Sequence, residues 1–197
     1  MGKIFYIMGK SSSGKDSFYR ALMKKNPWGL KKLVIYTTRP IRDGEKDGRE
    51  YHFVSEDRYQ QLKAEGKIIE ERCYDTVYGP WRYFTADDGT VDPAPGKIIW
   101  PSELWKSYRL LKAHYGSRYL CPIYVEVEDG ERLKRAIARE ETQEIPKYEE
   151  MCRRFLADSR DFSEDKIREA GIEHRFLNTD FNTCLGNIEK YIISVLY

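Results

Sequence analysis

No apolar run in the 197-residue sequence approaches the roughly 20 residues that a membrane-spanning helix needs. The apolar run from Ile4 to Met8 is far too short for the hydrophobic region of a signal peptide. Both absences predict a cytoplasmic protein with no membrane partner. Charge of one sign is also lacking. With 34 basic and 32 acidic residues the net charge is +2, so no strong global field favours a polyanion and no nucleic-acid partner is expected, although a local basic patch remains compatible. The four cysteines, Cys73, Cys121, Cys152 and Cys184, are far apart and form no CxxC or Cys/His cluster. That excludes a zinc site and reads as buried free thiols. No internal repeat or low-complexity linker divides the chain, so the expectation is one domain, with room for inserted lids. The 41% hydrophobic fraction suffices for one core.

What is present is an order of elements. "KIFYIMG" reads as a buried strand ending in glycine, and "DSFYRALMKKN" as a helix with Phe18, Leu22 and Met23 on one face, stopped by Asn26-Pro27. "KKLVIYTT" reads as a second strand, "RPIRDGEKDGRE" as a charged loop and "YHFV" as a short strand. "SEDRYQQLKAEG" is a helix capped by Ser55 and closed on Gly66. "KIIEERCY", "VYGPWRYFT" and "GKIIWPS" read as strands. "SELWKSYRLLKAHYG" is a helix capped by Ser102, and "YLCPIYVEVE" a strand. "GERLKRAIAREE", "YEEMCRRFLADSRDFSEDKIREAG" and "FNTCLGNIEKYIISVL" read as helices, with "HRFLNTD" a short strand among them. Alternating strands and helices predict an α/β core on a parallel sheet. The β-rich block from about 36 to 85 interrupts that alternation and predicts a small mixed subdomain inserted after the second core strand.

"GKSSSGKDS" fits G-x-x-x-x-G-K from Gly9 to Lys15, between an apolar strand and an amphipathic helix. Consecutive N–H groups of such a loop can wrap phosphate oxygens, the helix N-terminus points its positive end at them, and Lys15 adds a mobile charge. Lys15 itself reads as a partly exposed loop residue without a core role. Asp16 stands where the pattern wants Ser or Thr, while Ser17 keeps a hydroxyl one residue later. An acid in the first turn suits the helix dipole and, beside a triphosphate, calls for a magnesium ion between them.

A second constellation lies in "YTTRPIRDGEKDGREYHFV". Arg39 and Arg42 can grip a phosphate by bidentate contacts. Tyr51 and Tyr78 can add hydroxyl donors. Glu45 and Glu70 can accept from a ring N–H and an exocyclic amine, which is how a carboxylate reads guanine.

The pattern T-T-R-x-x-R-x-G-E-x-D-G-x-x-Y-x-F-V, carried by Thr37, Thr38, Arg39, Arg42, Gly44, Glu45, Gly48, Tyr51, Phe53 and Val54, resembles the guanylate kinase signature. Glu70 after a helix, Tyr78 in "VYG", Arg135 and Arg139 four apart, Arg154 (with Arg153 as a rival) and Asn178 in "FLNTD" extend the resemblance to the end of the chain. It implies a three-layer P-loop kinase fold with a parallel core sheet, an inserted mixed α/β acceptor-binding subdomain and a helical lid. The core would be about 1–35 and 96–197, the insert about 36–90 and the lid about 130–160. It implies ATP-dependent phosphorylation of GMP to GDP with Mg2+ as cofactor, in a monomer or homodimer. Lys15, Arg135, Arg139 and Arg154 would be catalytic. Gly9, Ser11, Ser12, Ser13, Gly14, Lys15, Asp16, Ser17 and Asn178 would bind ATP, with Asp16 and Ser17 at the metal. Thr38, Arg39, Arg42, Glu45, Tyr51, Glu70 and Tyr78 would bind GMP.

Two departures keep other readings open. Where the family has metal-organising acids after the insert, this chain has Trp100-Pro101, then Ser102 and Glu103. Ile35, Tyr36, Pro80 and Trp81 stand where the family usually has small hydroxyls. The "GKDS" loop is also similar to that of ribose 1,5-bisphosphate phosphokinases, which need no guanine pocket. A third reading is a non-catalytic guanylate-kinase-like module that binds peptides. Such modules typically lose the loop lysine and lid arginines, and Lys15, Arg135 and Arg139 are all present here.

Overall fold

An apolar run buried on both faces belongs at the centre of a parallel sheet, and Ile4–Met8 is buried at every position. The computed structural model describes residues 3–76, 78–87, 97–99 and 105–197. In chain order its elements are β1 (Ile4–Met8), α1 (Lys15–Lys25), β2 (Lys31–Lys32), β3 (Tyr36–Thr37), β4 (His52–Phe53), α2 (Glu56–Ala64), β5 (Ile68–Thr76), β6 (Gly79–Ala86), β7 (Lys97–Ile99), α3 (Trp105–Tyr115), β8 (Leu120–Glu126), α4 (Asp129–Glu141), α5 (Tyr148–Asp161), α6 (Glu164–Glu169), β9 (Arg175–Leu177) and α7 (Phe181–Leu196).

The core sheet has the order β2-β7-β1-β8-β9 and is parallel throughout. Side chains alternate across a strand, and β1 shows the consequence. Phe5 and Ile7 pack with Phe18 and Leu22 of α1 and Ile188 and Ile192 of α7. Ile4, Tyr6 and Met8 pack with Tyr108 and Leu111 of α3 and Ile167 of α6. Helices therefore cover both faces, giving the three-layer α/β architecture expected.

The second sheet, β4-β3-β6-β5, is mixed: β3 and β4 are parallel, while β3–β6 and β5–β6 are antiparallel. Tyr36 and Phe84 on one of its faces pack with Tyr59 and Leu62 of α2. The Ser55 hydroxyl accepts from the Arg58 N–H, capping α2 as its sequence predicts.

Three expectations change. "KKLVIYTT" is two strands: β2 pairs with β7 in the core sheet and β3 with β4 and β6 in the other. Leu33 between them is buried in the layer beneath α3, so the chain changes sheets within one apolar run. The long helix expected across Phe162 is broken into α5 and α6. Phe162 stacks on Tyr124 of the core with non-helical backbone (φ −111, ψ 39), and Ser163 is extended at the start of α6. Of the four cysteines, Cys121 and Cys184 are buried, but Cys73 and Cys152 are exposed. Ser102, expected to cap α3, and Trp100-Pro101 lie outside the described residues. Among the described residues no helix is long and apolar enough to cross a membrane.

Leu22 is fully buried where α1 meets the sheet. Leu22→Ala is expected to cost about 2–5 kcal/mol, the range for a large-to-small change in a packed core, read as a lower urea midpoint.

Candidate active site

Between β1 and α1 the chain turns so tightly that two positions admit only glycine. A Cβ on Gly9 would stand 2.4 Å from the Val125 carbonyl oxygen. Gly14 has φ +89, and its Cβ would stand 2.8 Å from Asn178 Nδ2. The loop closes on itself through the Ser13 N–H to the Lys10 carbonyl (3.1 Å) and the Ser17 and Phe18 N–H groups to the Gly14 carbonyl (2.9 and 3.1 Å). Asn178, buried after β9, donates its amide to the Ser13 carbonyl at 2.8 Å. The buried Ser12 and Ser13 hydroxyls have no hydrogen-bond partner among the described residues, and unsatisfied donors in a glycine-rich loop at a helix N-terminus suit an anion. Asp16 and Ser17, on the first turn of α1, are exposed. Lys15 is only 9% exposed, more buried than its loop position suggests. Burial lowers its amine pKa; Arg154 and Arg139 act in the same direction, opposed by Asp16 and Asp158.

Arg139 and Arg154 therefore lie in the electrostatic range of the loop lysine. Arg139 and Arg154 share a narrow cleft with Ser11 and Ser12, which continues into a cavity of about 220 Å³ that both also line. Arg153, the alternative to Arg154, is turned to Glu150 in a bidentate pair at 2.6 and 2.7 Å and is well exposed. Arg135 takes another direction: it pairs with Glu131 at 3.0 Å and donates to the Asn178 carbonyl at 3.3 Å.

What the sequence reading missed is the bracing beneath these cations. Arg132 is 1% exposed. It donates to the Ser11 carbonyl (3.0 Å), pairs with Asp158 (3.4 Å) and Asp129 (2.9 Å), and lies over the Phe155 ring. Asp158 also accepts the Ser11 N–H at 2.7 Å, and Asp129 holds Lys10 at 3.0 Å. The i,i+3 spacing of Asp129 and Arg132 was visible in the sequence; that the pair folds onto the loop was not.

On the second sheet, alternation puts Glu70, Arg72 and Tyr74 of β5 on one face, opposite Thr85, Tyr83 and Trp81 of β6. Glu70 is 4% exposed. Thr85 donates to its Oε1 at 2.8 Å, and Ser107 of α3 to its Oε2 at 2.7 Å. Glu45 serves different partners. It takes a two-point contact from Arg39 (2.6 and 2.8 Å) and the Arg42 N–H (2.8 Å). Hydrogen bonds from Arg39 are the main cause that brings its carboxyl down to about 2. Arg39 is buried, with its guanidinium over the Tyr51 and Phe53 rings. Arg42 is exposed over Trp81, which stacks on the exposed Tyr78. The Thr38 hydroxyl accepts the Arg82 N–H at 3.0 Å, spending it on the β-ladder region.

A family profile described as guanylate kinase matches residues 1–82. A guanylate kinase of Thiobacillus denitrificans is 38% identical over 82 residues, 41% of this chain and 39% of that relative. That of Photorhabdus laumondii is 27% identical across 98% of this chain and 88% of its own length. The crystal structure of guanylate kinase from Anaplasma phagocytophilum superposes with a TM-score of 0.61 over 99% of this chain and 86% of that one, at 19% identity. The chain is similar to guanylate kinases in sequence over its first 82 residues and in fold over nearly its whole length. The guanylate kinase profile spans the phosphate loop, the Arg39–Glu45 loop, Glu70 and Tyr78; Arg135, Arg139, Arg154 and Asn178 lie beyond it. The region where guanylate kinases carry further acids, here Trp100 to Glu103, is outside the described residues.

Two expectations follow from the electrostatics. A lowered amine pKa means that the unfolded chain holds the Lys15 proton more tightly, so stability rises with pH through that titration and the penalty is in full force below it. Lys15→Met is expected to raise the thermal midpoint at pH 7 while weakening binding of a nucleoside triphosphate, read by calorimetry and titration. For Glu45 the sign is opposite. Its clamp contributes above the ordinary carboxyl value of 4.5 and is lost as pH falls through about 2. Glu45→Gln is expected to flatten the dependence of the thermal midpoint on pH within that window.

Proposed function

We propose that the protein transfers the γ-phosphoryl group of ATP to GMP, giving ADP and GDP. The observation that carries this reading is the convergence of Lys15, Arg139 and Arg154 on one phosphate loop. Phosphoryl transfer asks for positioning and charge neutralisation over the migrating group, and little covalent chemistry. Those three cations serve the transferring phosphoryl, and the loop N–H groups with the Ser12 and Ser13 hydroxyls hold the rest of the triphosphate. Arg135 and Asn178, joined to each other, belong at the purine end of the donor. The acceptor phosphate is already ionised and needs no separate base.

On the acceptor side, Arg42 with the Tyr51 and Tyr78 hydroxyls takes the phosphate, while Arg39, committed to Glu45, the Pro40 carbonyl and Tyr83, holds the loop in shape. Glu45 shapes that loop, which leaves Glu70 as the carboxylate that reads the base. Each Glu70 oxygen accepts one hydroxyl proton in this structure and retains capacity for another donor. The sheet within about 36–90 is the acceptor-binding part, and α4 and α5, within about 130–160, are the lid.

Asp16 and Ser17 would hold Mg2+ together with phosphate oxygens. Their exposure fits this, since magnesium commonly uses one or two protein oxygens and substrate phosphates. The ion would supply further neutralisation of the triphosphate.

The GKDS phosphate loop, similar also to that of ribose 1,5-bisphosphate phosphokinases, keeps a sugar bisphosphate as the alternative acceptor. Coupled assays with GMP, AMP, UMP and ribose 1,5-bisphosphate separate the two. GMP is the expected acceptor, and Glu70→Gln should lower its kcat/KM by about ten- to a hundredfold, the worth of one or two charge-assisted hydrogen bonds, with KM for ATP unchanged. Turnover of the sugar bisphosphate without turnover of GMP would transfer the assignment.

A further inference from the structure

We propose that Arg72 is a specificity-determining residue of the acceptor site, donating hydrogen bonds to guanine O6 and N7 while Glu70 takes the N1 and N2 protons. The inference rests on the GMP reading and adds a residue to it. Guanine presents donors and an acceptor on one edge. A carboxylate can satisfy only the donors, and a buried O6 without a donor would cost binding free energy. The two hydroxyls beside Glu70 cannot serve O6 while they hold the carboxylate, because each has a single proton and gives it to Glu70.

Arg72 is placed for the role. It stands two residues from Glu70 on β5 and so shares its face. A register shift between Ile68 and Glu70 re-aims the strand just before the pair. The Arg72 side chain is 11% exposed, and its Nε lies 3.6 Å from Glu70 Oε2, beyond a hydrogen bond but near enough to support the ionised carboxylate. Its charge reaches Tyr6 of the core sheet on one side and Tyr51 of the acceptor loop on the other. The guanidinium thus shares with Glu70 the sheet face on which a base bound to Glu70 would sit. A planar fork directed at O6 and N7 is the commonest way that proteins read guanine. The same fork would face the 6-amino donor of adenine and reject it.

The test uses the full chain, wild type and Arg72→Met, with GMP and 6-thioguanosine monophosphate, whose sulfur is a poor acceptor at position 6. For wild type, kcat/KM should fall about ten- to a hundredfold on going from GMP to the thio analogue, the discrimination expected of a bidentate arginine contact. In Arg72→Met, GMP should drop to the level of the analogue, so that the ratio approaches one, with KM for ATP unchanged. Arg72→Lys should restore part of the ratio. Equal losses for both acceptors in Arg72→Met would overturn the inference and leave Arg72 a charge beside Glu70. So would wild type that does not distinguish them, a result that needs no variant to fold. If wild type ignores GMP altogether, the guanylate reading fails first and takes this inference with it.

Discussion

Lys15, Arg139 and Arg154 repel one another across the phosphate loop, and a fold gathers such charges only if other bonds hold their elements in place. The holding falls largely to Arg132. Its buried guanidinium joins the loop carbonyl of Ser11 to Asp158 on α5 and Asp129 on α4, while Asp158 accepts the N–H of the same serine. α4, α5 and the loop thereby share one network. Asn178 secures the far side of the loop through Ser13, and the contact of Gly9 with Val125 leaves no space for it to relax. Removing one partner of such a buried pair leaves the other charge unmatched, which costs far more than the pair contributes to stability.

The face of the mixed sheet follows another rule. Its cations are paired before any ligand arrives: Arg39 with Glu45, and Arg72 beside Glu70. Aromatic rings then fix the guanidinium planes, with Tyr51 and Phe53 against Arg39 and Trp81 beneath Arg42. Trp81 adds a flat surface without a hydroxyl donor.

The parts of this architecture that were legible in the sequence have short-range causes. The phosphate loop shows because glycine, lysine and serine must fall at fixed intervals between a strand and a helix. β1 and α7 show because their apolar spacing decides which face is buried. The signature loop shows because its charges and glycines are contiguous. The remainder depends on partners distant in the chain. Nothing within "KKLVIYTT" reveals that its two ends pair with different sheets. Arg132 looks like an arginine on a solvated helix face, and its burial is decided by Ser11 and Asp158, 121 and 26 residues away. Glu45 and Glu70 look alike as acids near a basic loop; only their neighbours give one to Arg39 and the other to two hydroxyls.

The two hydroxyls on Glu70 come from different bodies of the molecule. Thr85 belongs to the mixed sheet, and Ser107 to a helix that covers the core sheet. Arg39 and Arg42 belong to the mixed sheet's own loop. A ligand that touches Glu70 at one end and those arginines at the other would act as a spacer, sensitive to the separation between the two sheets. A ligand too short would leave one end slack, and one too long would strain the Ser107 bond. Recognition of such a ligand would then be in part a measurement of length, with the Glu70 carboxylate as one jaw of a caliper.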